Sequence, residues 1–161
     1  MSDTTDYKLL RNGAMCAELQ EDEAQILAAK MGVRHLKDGE LLIKEGGLDQ
    51  SLFILVSGKL AVINTGADGK ESAIYTMKPG ECAGTRAFVD RTPRKATLRA
   101  IGNVTVYTLT PDDFEKLVDS HPRLAYKVMR TLFRITHTNL MRMNQESQVL
   151  SNYIHKTQGR F

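Results

Sequence analysis

The sequence predicts a mainly β domain with flanking helices: a jelly-roll barrel, or double-stranded β-helix, with a helix before it and a long helix after it. Three observations carry that expectation. Between Val33 and Leu109 the chain runs in short apolar stretches punctuated by Gly, Asp and Pro. Many short strands at regular spacing describe an antiparallel barrel or jelly roll. Before and after this stretch, apolar residues recur at helical spacing instead.

In chain order, residues 1–17 read as a loosely structured lead with a short helix near Tyr7–Arg11. Glu18 to Met31 reads as a helix, with Leu19, Ile26, Leu27 and Met31 as its apolar stripe. Acids at positions 21–23 fall in its first turns, where the helix dipole favours them. Gly32 is expected to end it. The strand candidates are Val33–Leu36, Leu41–Lys44, Leu52–Val56, Lys59–Asn64, Glu71–Met77, Thr97–Ala100 and Val104–Leu109. Gly39, Gly46-Gly47, Gly58, the segment from Gly66 to Gly69, Pro79-Gly80 and Gly102-Asn103 are the expected turns between them. Thr110-Pro111-Asp112-Asp113 is a helix start, with a Thr cap, Pro at the first position and acids in the first turn. That helix runs to about Ser120, His121-Pro122 restarts the chain, and a long helix follows from roughly Arg123 to Tyr153. The organisation is then a lead (1–17), a barrel with flanking helices (18–120), and a long helix with its tail (121–161).

A length of 161 residues suits one domain with an appended helix. Hydrophobic content of 42% with 25% charged residues is ordinary for a globular protein. No apolar run approaches a membrane span, and the acidic, polar N-terminus is not a secretory signal, so cytoplasmic residence is expected. Cys16 and Cys82 match no metal spacing, and His35, His121, His137 and His155 are scattered. Cys82 is read as a buried strand-end thiol rather than an oxidation sensor. No Ser-His-Asp, paired-carboxylate or Walker-type pattern stands in a convincing context. The expectation is a binding protein that is not an enzyme and requires no metal or cofactor.

The net charge of +3 is unevenly distributed. Residues 121–161 carry seven Lys or Arg against one acid, Glu146, while residues 1–120 carry fifteen basic and eighteen acidic groups. A basic tail on an acidic body attracts nucleic acid or anionic membrane when the charges cluster. Here they are spread along the helix, which fits a solvated face.

Along the long helix, Met129, Phe133, Thr136, Leu140, Met143, Ser147, Leu150 and Ile154 are spaced 4, 3, 4, 3, 4, 3, 4. That is a heptad seam. A second stripe, Leu124, Val128, Leu132 and Ile135, stops midway. The expected arrangement packs the first half on the barrel by that second stripe. The seam then meets a second copy in a parallel homodimer, with Met129, Phe133, Thr136, Leu140, Met143 and Leu150 as its interface. The alternative is a monomer with an uncovered tail.

The segment from Gly80 to Ala100 concentrates features that suit an anion. Ala83 and Gly84 are small enough for close backbone approach. Backbone N–H groups at a helix start can cradle a phosphate, and one Arg can bind it bidentately. Arg94 follows Pro93, which stiffens the approach, and Ala96 keeps the floor shallow. Arg86 and Lys95 add further positive charge.

Gly80-Glu81-Cys82-Ala83-Gly84-Thr85-Arg86-Ala87-Phe88 and Pro93-Arg94-Lys95-Ala96-Thr97-Leu98-Arg99-Ala100 resemble the phosphate-binding cassette of the cyclic-nucleotide-binding domain family. A second motif is similar too: Leu42-Ile43-Lys44-Glu45-Gly46 with Gly47 and Asp49, then Leu52-Phe53-Ile54-Leu55, then Gly58. The resemblance covers about residues 20–140. It implies a jelly roll between helices, as in the sensory half of the catabolite activator protein. It also implies a ligand cassette made of Ala83, Gly84, Thr85, Arg86, Arg94, Lys95 and Ala96. Arg94 takes the place of the phosphate-binding Arg. Nine residues before it, Thr85 stands where the family has the acid that binds the ribose hydroxyl. Lys95 replaces a small or hydroxyl residue, and Arg86 an apolar one. By position on the long helix, Arg134, Thr138 and Asn139 are the polar groups that could meet a base.

Three functional classes stay open on these residues. One is a stand-alone regulator whose altered pocket takes a cyclic nucleotide or another anion and which acts on a partner protein, with a genuine cAMP or cGMP sensor as its variant. The second is a ligand-free interaction module on a vestigial site. DNA binding through the basic helix is the weakest, because the chain ends at Phe161 before a helix-turn-helix could fit.

Overall fold

The computed structural model describes residues 3–158. Helix α1 (Tyr7–Arg11), a 3-10 turn (Ala14–Cys16) and helix α2 (Glu21–Lys30) lead into strands β1 (Gly32–Leu36), β2 (Leu41–Ile43), β3 (Leu52–Thr65), β4 (Glu71–Met77) and β5 (Cys82–Ala83). Helix α3 (Thr85–Asp90), strand β6 (Thr97–Leu109) and helices α4 (Pro111–Ser120) and α5 (Pro122–Gln158) complete the chain. The strands pair antiparallel in the order β1-β6-β3-β4, with β2 on β6 and β5 on β3. This is the mainly β architecture with flanking helices that the sequence predicts.

Strand β3 organises the core. Side chains alternate across a strand, so Leu52 and Ile54 face the helices while Phe53, Leu55 and Leu60 fill the sheet interior. The helix-side cluster also takes Leu27 of α2, Leu117 of α4, and Leu124, Val128 and Leu132 of α5. The second stripe of α5 is therefore its packing face, and Ile135, where that stripe ends, is half-buried.

Several local expectations differ from the structure. The segment read as a loose lead contributes Leu10, Met15 and Cys16 to the core. Asp6 caps α1 by accepting from the Lys8 N–H at 2.9 Å, a device too short to stand out in sequence. Helix α2 starts three residues later than expected, at Glu21, because Glu23 accepts from the Gln20 N–H at 3.1 Å and fixes the start there. Leu19 lies outside that helix yet is buried. Gly32 opens β1 rather than closing α2.

Two expected turns are not turns. The chain runs straight through Gly58 in β3 and Gly102 in β6. At Gly58 the register shifts between Leu55, Ser57 and Lys59, so the glycine marks a bulge. Its φ is +88°, and a Cβ there would collide with the carbonyl of Asn103. The bulge lets two long strands cross closely and keep pairing. The Thr110 cap is as predicted: its hydroxyl accepts from the Asp113 N–H at 3.1 Å.

Helix α5 is longer than expected and reaches Gln158. Lys127 ties its first half to Glu23 of α2 at 2.7 Å, and Arg134 pairs with Glu18. No helix among the described residues is long and apolar enough to cross a membrane.

Candidate functional site

A cavity of about 750 Å³ opens between the sheet, α3 and the inner face of α5. It brings together all seven residues of the expected cassette: Ala83, Gly84, Thr85, Arg86, Arg94, Lys95 and Ala96. Arg134, Thr138 and Asn139 of α5 line it as well. Thr131, Ile135, Thr138 and Arg142 fall 4, 3 and 4 residues apart, so one stripe of α5 forms the wall. The seam residues Phe133, Thr136 and Leu140 lie on a different face and are exposed. Met143 belongs to both, lining the cavity while 61% exposed. Met129 is half-buried against the helix-side core, and Leu150 is exposed beyond the cavity.

Arg94 anchors the site. Only 5% of it is exposed. Its Nη1 donates to the Gly84 carbonyl at 3.1 Å and its Nη2 to the Ser51 carbonyl at 2.5 Å. The guanidinium lies 5.5 Å from the centroid of the Phe53 ring, within cation–π range. Its Nε is buried and has no hydrogen-bond partner. Burial lowers the Arg94 pKa, and the charge of Asp49 opposes that shift. At Asp49 burial pushes the carboxyl up. Hydrogen bonds from Ser51 and the charges of Arg94 and Arg34 outweigh it, so the carboxyl sits below its usual value.

The backbone of Arg94 is pinned from the other side. Its carbonyl accepts from the Gly46 N–H at 2.8 Å, and its N–H donates to Gly47 at 3.1 Å. The two sequence motifs therefore meet here: the Gly46-Gly47 turn holds the chain that carries Arg94.

Gly84 precedes α3 at φ +84°, the left-handed region that favours glycine. A Cβ there would overlap Arg94 Nη1 and come within 2.9 Å of the Ser51 carbonyl. Gly84→Ala is expected to lower stability by at least 1–2 kcal/mol from backbone strain alone. It should also displace the guanidinium. Urea unfolding checks this, and an unchanged midpoint would show that Arg94 is not held as described.

Cys82 lines the same cavity. Burial raises its thiol pKa, and a hydrogen bond with Thr85 partly opposes that. Burial, with a smaller contribution from Cys82, pushes Cys16 up to about 12. At both thiols burial disfavours the thiolate.

Glu81, which the cassette motif contains but which is not among its expected contact residues, completes the wall with Tyr75 and Arg142, which the sequence did not single out. The Tyr75 hydroxyl donates to Glu81 Oε1 at 2.7 Å, and that bond raises the Tyr75 pKa. Arg142 of α5 lies over the Tyr75 ring at 5.4 Å from its centroid. They come from β4, the turn before β5 and the distal half of α5, so no local spacing could have joined them.

Residues 33–121 match the family Cyclic nucleotide-binding domain. This chain belongs to that family. Among curated proteins, the chain is 31% identical to Glutaminase 2 of Bradyrhizobium diazoefficiens over 153 residues, 94% of this chain and 24% of that protein. It is 25% identical to the Cyclic AMP receptor protein of Thermus thermophilus over 116 residues, 72% of this chain and 54% of that protein. The chain thus spans about a quarter of the first relative and about half of the second. Among solved structures, a cyclic nucleotide-binding domain from Methylobacillus flagellatus superposes with a TM-score of 0.79 at 18% identity, over 87% of this chain and 79% of that one. The N-terminal domain of a transcriptional regulator from Streptomyces coelicolor gives 0.73 at 27% identity, over 81% and 94%.

The cyclic nucleotide-binding fold places Thr85 at the start of α3, beside Gly84 and on the cavity wall. A hydroxyl there accepts a hydrogen bond without the charge that a carboxylate would bring. Arg86 projects from the same short helix and pairs with Asp90 at 3.2 Å.

Proposed function

We propose that this cyclic nucleotide-binding domain is a non-catalytic regulatory module whose pocket takes an anionic ligand, a cyclic nucleotide or another phosphorylated compound. In this reading it acts on a partner protein as a cytoplasmic homodimer joined along the α5 seam. The observation that carries the reading is the unpartnered Nε of Arg94. A buried N–H without an acceptor costs about 1–3 kcal/mol, and it sits on a residue that lines an open cavity. A ligand that accepts from it recovers that cost on binding.

The replacement of the family acid by Thr85 supports an altered preference. Loss of one charge-assisted hydrogen bond costs about 1.5–3 kcal/mol, roughly ten- to a hundredfold in affinity. Calorimetric titration with cAMP, cGMP and cyclic dinucleotides tests the reading. Saturable binding that Arg94→Ala removes is the expected result. Thr85→Glu should tighten cAMP binding roughly ten- to a hundredfold. Tightening of cAMP by Thr85→Glu supports the altered pocket; no change would remove Thr85 as its cause.

One observation favours the second reading, a ligand-free interaction module. Both terminal nitrogens of Arg94 are taken by the carbonyls of Gly84 and Ser51. Absence of binding to every nucleotide, with a stable fold, would select that reading and direct attention to the exposed face of α5.

A further inference from the structure

The cavity lining carries charges of both signs. Arg94, Lys95, Arg86, Arg134 and Arg142 are its cationic residues, and Glu81 is a carboxylate among them. Glu18, the other carboxylate on that wall, is taken by Arg134. Among the described residues no cation pairs with Glu81; its partner is the neutral Tyr75 hydroxyl at 2.7 Å. An ionised carboxylate offers about four lone-pair sites, and Tyr75 uses one. Glu81 therefore keeps acceptor capacity that faces a cavity otherwise rich in donors.

The pair is fixed in place. Backbone bonds hold Glu81 on both sides, its carbonyl accepting from Leu55 at 2.9 Å and its N–H donating to Lys78 at 3.2 Å. Arg142 covers the Tyr75 ring. Tyr75 is thus clamped between α5 and the carboxylate, and acts as a positioning residue.

We infer that Glu81, oriented by Tyr75 and Arg142, reads a hydrogen-bond donor on a ligand whose anionic group lies at Arg94. The inference rests on the anion reading of Arg94 and narrows it. The ligand is an anion that also carries a hydroxyl or amino group, as a nucleotide does, and not a simple inorganic anion. A donor to a carboxylate gains the strength of a charge-assisted bond.

The test is calorimetric, on the full chain, with four probes: cAMP, its 2′-deoxy analogue, its analogue lacking the 6-amino group, and inorganic phosphate. One of the two donor-deleted analogues is expected to bind the natural chain at least about tenfold more weakly than cAMP. Glu81→Gln should weaken cAMP by a similar factor and leave that analogue unchanged. If Glu81→Gln melts early, Tyr75→Phe carries the same comparison with a smaller expected loss. Equal binding of cAMP and both analogues, or a Glu81→Gln chain that binds cAMP as the natural one does, overturns the inference. Arg94-dependent binding of phosphate without any nucleotide overturns it while leaving the anion reading in place. No binding of any probe removes both.

Discussion

Arg94→Ala is expected to remove the proposed anion binding and to lower the melting temperature in the same variant. The two effects share one cause. Arg94 donates to the carbonyls of Ser51 and Gly84 from a nearly enclosed position, so truncation strands two acceptors at once. Each unpaired buried group costs about 1–3 kcal/mol. Release of a desolvated charge offsets part of that. A net loss of about 2 kcal/mol corresponds to roughly 4–8 °C in a chain of this size. Binding falls further, because the charge and the unpartnered Nε leave together. Arg94→Lys separates the terms. Lysine keeps the charge but has no planar fork to span two carbonyls and a ligand, so it should recover little of either property. An Arg94→Ala chain with the natural melting point and natural anion affinity would refute the central place given to this residue.

If two copies join along the α5 seam as proposed, Leu140→Glu is expected to leave a monomer. The seam of α5 is uncovered: Phe133 is 72% exposed, Leu140 53% and Met143 61%, while Leu124, Val128 and Leu132 are already covered by the body. Beyond Ile135 every described residue of α5 is exposed. A parallel pair of such helices would bury the seam as a coiled coil. A Glu at position 140 of both copies would face its twin across that seam, adding like-charge repulsion to lost apolar burial. Burial of one leucine is worth about 1.5–3 kcal/mol, and the change removes two per dimer. Light scattering at micromolar concentration reads the result. Gln145→Glu, on the opposite side of α5, should leave the dimer intact. If Leu140→Glu stays dimeric, the seam is not the interface.

Spacing and punctuation carry the local features. The Thr110-Pro111 start, the strand at Glu71–Met77 and the two stripes of α5 each depend on residues within a turn or two of one another. Arg94 and its neighbours were legible because the cassette is continuous in sequence. Gly58 and Gly102 misled for the opposite reason. Glycine permits a turn, but the pairing of β3 with β6 decides whether one forms, and here the pairing continued past both. The lead was read as loose because its short helix carries no strong periodicity. Its order comes from burial of Leu10, Met15 and Cys16 against elements far along the chain.

Local propensity and spacing are enough to predict the element types and the jelly-roll class, and the resemblance of two contiguous motifs is enough to predict the family. Only the tertiary structure decided that Tyr75, Glu81 and Arg142 share a wall with Arg94, and that Arg94 holds Ser51 and Gly84 while its Nε stays unpaired. Those relations join residues carried on different elements and loops. They exist because folding the β3–β6 pair and laying α5 across it brings distant side chains within a few ångströms, a distance on which sequence spacing carries no information.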